Sequence, residues 1–218
     1  MKRILFSVIF TVLVFTSKSA LAASAYNWTG FYAGLQGSYD VGTSDFDWTL
    51  YHTHADHIIK GVMGGILFGY NYQTPVNVVV GVDVDFNGGK IAGSSSCPNN
   101  SFDCRTEVNW VGSARARVGY AVSRFLPYAA VGIAYSQVEL FANETATGTE
   151  DENTKNTYFG WTPSIGVDFA FTKNLIGRFE YAYYDFASNN VTTTGKFIEN
   201  IDSKIKFQSF TLGLTWKF

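Results

Sequence analysis

From Ser209 to Phe218 the chain alternates without interruption. Phe210, Leu212, Leu214, Trp216 and Phe218 fall on one side, and Ser209, Thr211, Gly213, Thr215 and Lys217 on the other. A strict period of two predicts a β-strand whose faces meet two different solvents. The pattern recurs over 158–171, where Phe159, Trp161, Pro163, Ile165, Val167, Phe169 and Phe171 oppose Tyr158, Gly160, Thr162, Ser164, Gly166, Asp168 and Ala170. A third copy over 77–87 sets Val78, Val80, Val82, Val84 and Phe86 against Val79, Gly81, Asp83 and Asp85. Five weaker stretches, about 28–41, 58–72, 106–121, 126–140 and 174–187, bring the predicted count to eight. Glycine and alanine blur their alternation.

The connections alternate in length. Residues 73–76, 122–125 and 172–174 read as tight turns, whereas 42–57, 88–105, 141–157 and 188–203 read as long polar loops. The apolar faces are nearly free of charge, while Asp83, Asp85, Arg115, Arg117, Asp168, Arg178 and Glu180 collect on the opposite faces. A soluble ligand-binding barrel would turn its apolar face inward. In lipid the charges must face the interior instead, where opposite signs neutralise one another. Together these features predict an all-β fold, an eight-stranded antiparallel transmembrane β-barrel, closed because no unpaired edge survives in a bilayer. Pairing of 77–87 with 106–121 is expected to bring Asp83 to Arg115.

The first residues bound the exported part. Lys2 and Arg3 precede an apolar run from Ile4 to Phe15 and the small-residue stretch Ala20, Leu21, Ala22. This pattern predicts a cleaved signal peptide over 1–22 and a single barrel domain over 23–218. Removal of 1–22 takes away Lys2, Arg3 and Lys18, leaving 13 basic against 18 acidic residues. An acidic chain of this kind is a poor nucleic-acid binder. The 21 Gly, 13 Tyr and 19 Phe disfavour long helices.

The start of the mature chain, Tyr26, Asn27, Trp28, Thr29, Gly30, Phe31, Tyr32, Ala33 and Gly34, resembles the small outer-membrane porin-like proteins of alphaproteobacteria. The segment Gly69, Tyr70, Asn71, Tyr72 and Gln73 and the aromatic carboxy terminus carry the same resemblance, although tryptophan is the more usual residue where Tyr72 stands. That family includes surface antigens and haemin-binding proteins on an OmpA-type barrel. The resemblance implies a Gram-negative outer-membrane location, exposed variable loops, and activities ranging from porin to haem binding or adhesion. It also implies that Phe210, Leu212, Leu214, Trp216 and Phe218 are the signal read by the barrel assembly machinery. With the carboxy terminus inside a strand, no peptidoglycan-binding domain is expected.

Candidate chemistry is sparse. All three histidines, His52, His54 and His57, lie within six residues beside Asp56. They are a mobile polar loop, a Zn²⁺ or Cu²⁺ site supported by Asp45 or Asp47, or an axial ligand to haem stacked by Trp48 and Tyr51. Cys97 and Cys104 read as a disulfide pinning a loop in an oxidising compartment, in preference to a metal or redox pair. The inward charges are either a self-satisfied network or the lining of a pore. No serine stands in a nucleophile-elbow context, so no enzyme is expected. Trp28, Phe31, Tyr32, Tyr181, Tyr183, Tyr184, Trp216 and Phe218 are assigned to aromatic girdles. The acidic stretch 144–152 reads as a solvated surface, with divalent bridges to lipopolysaccharide as the alternative. The expected function is therefore a surface-interaction barrel contacting lipid, lipopolysaccharide and host surface or haemin, and the alternative is a narrow porin.

Overall fold

The structure, a computed structural model, describes residues 26–48, 53–96, 102–144, 150–192 and 200–218. Eight strands follow in chain order: β1 Gly30–Trp48, β2 Thr53–Gln73, β3 Val78–Ser96, β4 Phe102–Tyr120, β5 Phe125–Glu144, β6 Glu150–Ala170, β7 Leu175–Thr192 and β8 Asn200–Lys217. Each pairs antiparallel with its neighbours in sequence, and β8 returns to β1 to close the barrel.

The register fixes the barrel's shape. The row of partners that starts at Ala33 runs through Phe68, Val84, Ala114, Ile133, Trp161, Asp185 and Lys206, and re-enters β1 ten residues farther on, at Thr43. For strands about 4.8 Å apart, rising about 3.3 Å per residue, that shift tilts them about 40° from the barrel axis. Such a barrel leaves an interior that side chains alone can fill.

The outer face carries the alternation. Val80, Val82, Val84 and Phe86 of β3 are 43–56% exposed, while Val79, Asp83 and Asp85 between them are at most 3% exposed. β8 exposes Phe210, Leu212, Leu214 and Trp216 and buries Ser209, Thr211 and Thr215. An outward apolar run of about nine residues at this tilt spans roughly 20–25 Å, the height of the apolar band of outer-membrane barrels. Phe31, Tyr72, Tyr120, Phe125, Phe171 and Trp216 ring its periplasmic edge, and Tyr39, Phe86, Tyr135, Phe159 and Phe210 its outer edge.

The periplasmic turns are tight. Val122 and Phe125 exchange both backbone hydrogen bonds, at 2.8 and 2.9 Å, with Ser123 in the left-handed region at φ 54°. Asn77, at φ 65°, ends the turn before β3, a conformation that asparagine tolerates well.

The outer connections depart from the sequence reading. The stretches 42–57, 88–105, 141–157 and 188–203 are largely strand: β1 runs on to Trp48, β2 begins at Thr53, β3 reaches Ser96 and β5 reaches Glu144. The cause is physical. A strand that leaves the bilayer loses its reason for apolar side chains but keeps its neighbour's backbone partners, so polarity there reports water and not the end of pairing.

Among the described residues the shortest ladder of the wall is that between β6 and β7. β6 and β7 pair only between Gly160–Phe186 and Ala170–Ile176 among the described residues, and that ladder lapses at Thr162 and Pro163. Pro163 has no N–H to give a ladder.

Candidate functional site

The lumen holds the seven charges singled out above, each at most 4% exposed. Pairs two apart on one strand share a face, so Asp83 and Asp85 of β3, Arg115 and Arg117 of β4, and Arg178 and Glu180 of β7 all face inward, with Asp168 of β6.

They form two linked layers. On the periplasmic side, Asp168 accepts from Arg117 Nη2 at 2.8 Å and from Arg178 Nε at 2.8 Å and Nη2 at 3.1 Å. Asp83 lies 3.3 Å from Arg178 Nη1 and 3.6 Å from Arg117 Nη1, and also accepts from the Tyr32 hydroxyl. The Arg117 guanidinium stacks 3.7 Å over the ring of Tyr128, a favourable cation–π geometry. The Tyr128 hydroxyl donates to Glu180 at 2.7 Å, joining the layers. In the second layer Arg115 reaches Glu180 at 2.6 Å and Asp85 at 3.0 Å. Asp85 also accepts from Ser113 and, at 2.7 Å, from Asn87.

Pairing of β3 with β4 brings Asp83 opposite Arg115, as expected, but the ion pairs themselves run elsewhere. Arg115 reaches past its partner to Asp85 and across the lumen to Glu180, and Asp83 is left to Arg117 and Arg178. In a narrow tilted barrel, long guanidinium side chains meet carboxylates on non-adjacent strands, which pairwise register does not foresee.

Apolar layers lie on both sides of this network. Toward the periplasm, Trp28, Val79, Ala121, Leu126, Ala170 and Ile176 form a buried cluster against which Tyr26 packs. The segment before β1 lies across that mouth: the Tyr26 hydroxyl donates to the Lys173 carbonyl at 2.9 Å, Trp28 N donates to Gln73 Oε1 at 2.8 Å, and Lys217 Nζ donates to the Asn27 carbonyl. Burial, followed by the Asp168 charge, pushes the Tyr26 phenol from 10.0 up to about 12. Toward the outside, Ile59, Met63, Ile91, Tyr158, Tyr184, Phe186 and Phe207 belong to a second cluster, with Tyr184 and Phe207 stacked at 4.6 Å. Between network and outer cluster remains a cavity of about 10 Å³, bordered by Asp40, Asn87, Arg115, Glu180 and Tyr184 among others, room for about one water.

Three residues assigned to girdles therefore belong elsewhere. Trp28, Tyr32 and Tyr184 are at most 5% exposed, because their parity faces the lumen or because, for Trp28, the chain folds under the barrel. Tyr32, Tyr128 and Asp40 were not singled out as site residues. Their parity with Gly34, Ala130 and Ser38 was the available signal.

The remaining candidates lie partly outside the described residues. His54 and His57 are within β2, opposite Asp47 and Ser44, and not in a loop. His52 and Cys97 lie outside the described residues, and Cys104 is a β4 position opposite Ser95. Among the described residues no cluster of His, Cys, Asp or Glu is arranged to hold a metal ion.

The sequence profile of the outer membrane protein beta-barrel domain matches residues 10–218. The chain belongs to this family. It is 30% identical, over 93% of its length and 89% of the relative's, to a 31 kDa outer-membrane immunogenic protein of Brucella melitensis. It is 32% identical to a 22 kDa outer membrane protein of Rhizobium leguminosarum, over 93% and 83%. Among solved structures, the outer membrane protein OprG of Pseudomonas aeruginosa aligns with a TM-score of 0.48 at 12% identity, over 88% of this chain and 97% of that one. As a member of this family the chain is an outer-membrane β-barrel protein, its apolar band in lipid and its long strand ends outside.

Proposed function

We propose that this family member is a sealed barrel that displays its outer strand ends and loops at the cell surface, and that its lumen serves stability and not transport. The observation that carries this reading is the filling of the lumen. A charge network whose members are at most 4% exposed lies between two apolar clusters. Apolar constrictions of this kind exclude water and therefore ions. The wall itself points outward: strands of 18–21 residues are about twice the 9–11 needed to cross a bilayer, so half of each is spent on a rigid stalk above the membrane. The Brucella relative is named for its immunogenicity, which suits a protein whose prominent surface is extracellular. Enzymatic chemistry is not part of this reading. The test is surface labelling: antibodies raised against the refolded protein are expected to bind intact cells, and to lose most of that binding once external protease has trimmed the outer connections. Absence of binding to intact cells, together with binding to permeabilised ones, would contradict display.

A further inference from the structure

We propose that the outer face of β8, β1, β2 and β3 carries a binding site for the phosphate groups of the outer-leaflet glycolipid lipid A, built on Lys60, Lys90 and Lys206.

The three lysines share one level. Rows of paired residues climb toward the outside by ten residues per circuit, a little over one per strand in the direction β1 to β8. Lys60 sits opposite Val41 one strand onward, Lys90 opposite Val62 and through it Tyr39 two strands onward, and Lys206 opposite Thr43 one strand back. Once the climb is included, all three stand just above Tyr39 and Phe210 of the outer girdle. Aromatic girdles mark the boundary between acyl chains and headgroups, so this is the level at which the phosphates of an outer-leaflet lipid lie.

The positions face outward, by the same parity that exposes Val62, Phe86 and Phe210. Lys60 is exposed and has no acidic partner among the described residues. Lys60 and Lys90 are diagonal neighbours across β2 and β3, a separation of about 7–8 Å between backbones that lets two ammonium groups converge on one phosphate. Lys90 donates to Glu107 at 2.8 Å while its own side chain stays 53% exposed and that of Glu107 is 10% exposed. An ammonium has three donors, so that bond anchors the lysine and leaves others for a ligand. Lys206 is held in the same way beside Asp185 at 3.4 Å. At this level on the far side, β5 and β6 offer the neutral Gln137 and Thr157. Among the residues whose side chains are described, the lysines at this level thus lie on one side of the barrel, as a docking site requires and a uniform halo does not.

The experiment uses the full chain refolded in micelles and native mass spectrometry, with bis-phosphorylated lipid A as probe. The wild type is expected to retain it at least about tenfold more tightly than dephosphorylated lipid A, and Lys60→Gln/Lys90→Gln is expected to lose that preference. Equal binding of the two lipids by the wild type, or an undiminished preference in the variant, would overturn the proposal. Competition by inorganic phosphate at equal concentration would also overturn it, since the site would then be for a free anion and not for a lipid. If the variant fails to show the heat-modifiable mobility of a folded barrel, the wild type alone decides. Its preference is expected to shrink several-fold between 50 and 500 mM salt, on the order expected for screened surface charges, and a constant preference would refute the site.

Discussion

Removal of Asp168 is the sharpest perturbation of the lumen. Its carboxylate accepts from Arg117 and Arg178 in three contacts of 2.8–3.1 Å. Asp168→Leu leaves two buried guanidiniums with Asp83 as their nearest carboxylate, at 3.3 and 3.6 Å. Breaking a buried pair on one side costs about 3–5 kcal/mol, because the remaining charge stays desolvated, whereas replacing both partners by apolar groups is often nearly neutral. Asp168→Leu/Arg178→Leu returns the layer to one guanidinium facing one carboxylate and is expected to recover most of that loss. Urea unfolding in vesicles, followed by tryptophan fluorescence, provides the measurement. For a slope of about 2 kcal/mol per molar, the single variant's midpoint falls by roughly 2 M and the double variant's by less than half as much. A single variant within about 1 kcal/mol of wild type, or a double variant worse than either single, would refute the claim that the network is a mutually dependent unit.

Three further outcomes follow from local geometry. A Cβ on Gly132 would run into the backbone of Ala114 and Arg115, whereas one on Gly37 would meet nothing nearer than the Met63 carbonyl at 3.8 Å; Gly132→Ala is expected to prevent recovery of the heat-modifiable form, and Gly37→Ala to fold normally or gain about 0.5–1 kcal/mol. Amide exchange is expected to be fastest, within the membrane span, at the residues flanking Pro163 and their β7 neighbours, and Pro163→Val to slow it; uniform protection around the barrel would show that the lapse in pairing has no energetic consequence. The Tyr26 phenol, raised to about 12, makes a contribution that is fully present below pH 10 and lost as pH rises toward 12, since the unfolded phenol ionises first; a spectrophotometric titration in which Tyr26→Phe removes a phase near 12 is expected, and removal of a phase near 10 would refute the half-buried placement against the mouth cluster.

How much of this was legible depends on which residue met which solvent. Where lipid and lumen differ most, as along Phe210 to Phe218 or Val78 to Phe86, alternation alone identifies both faces. Once the strand leaves the bilayer both faces meet water, and the contrast that announces a strand vanishes although pairing continues to Trp48 or Ser96. The inward charges follow from parity, but their partners do not. Arg115 finds Glu180 across the lumen, at a separation of 65 residues, through the curvature of a closed sheet. The seals were the least visible part. Ile59, Val111 and Phe207 are apolar on a face that elsewhere is polar, so they weaken the alternation at the positions where they close the barrel, and Trp28 reads as a girdle residue until the chain before β1 is seen folded under the mouth.

The central claim is a closed lumen, and single-channel recording tests it most directly. Purified protein inserted into a planar bilayer, with insertion verified independently by protease protection, is expected to give a silent baseline in molar salt. Conductance steps of uniform size that grow in number with inserted protein would contradict the account.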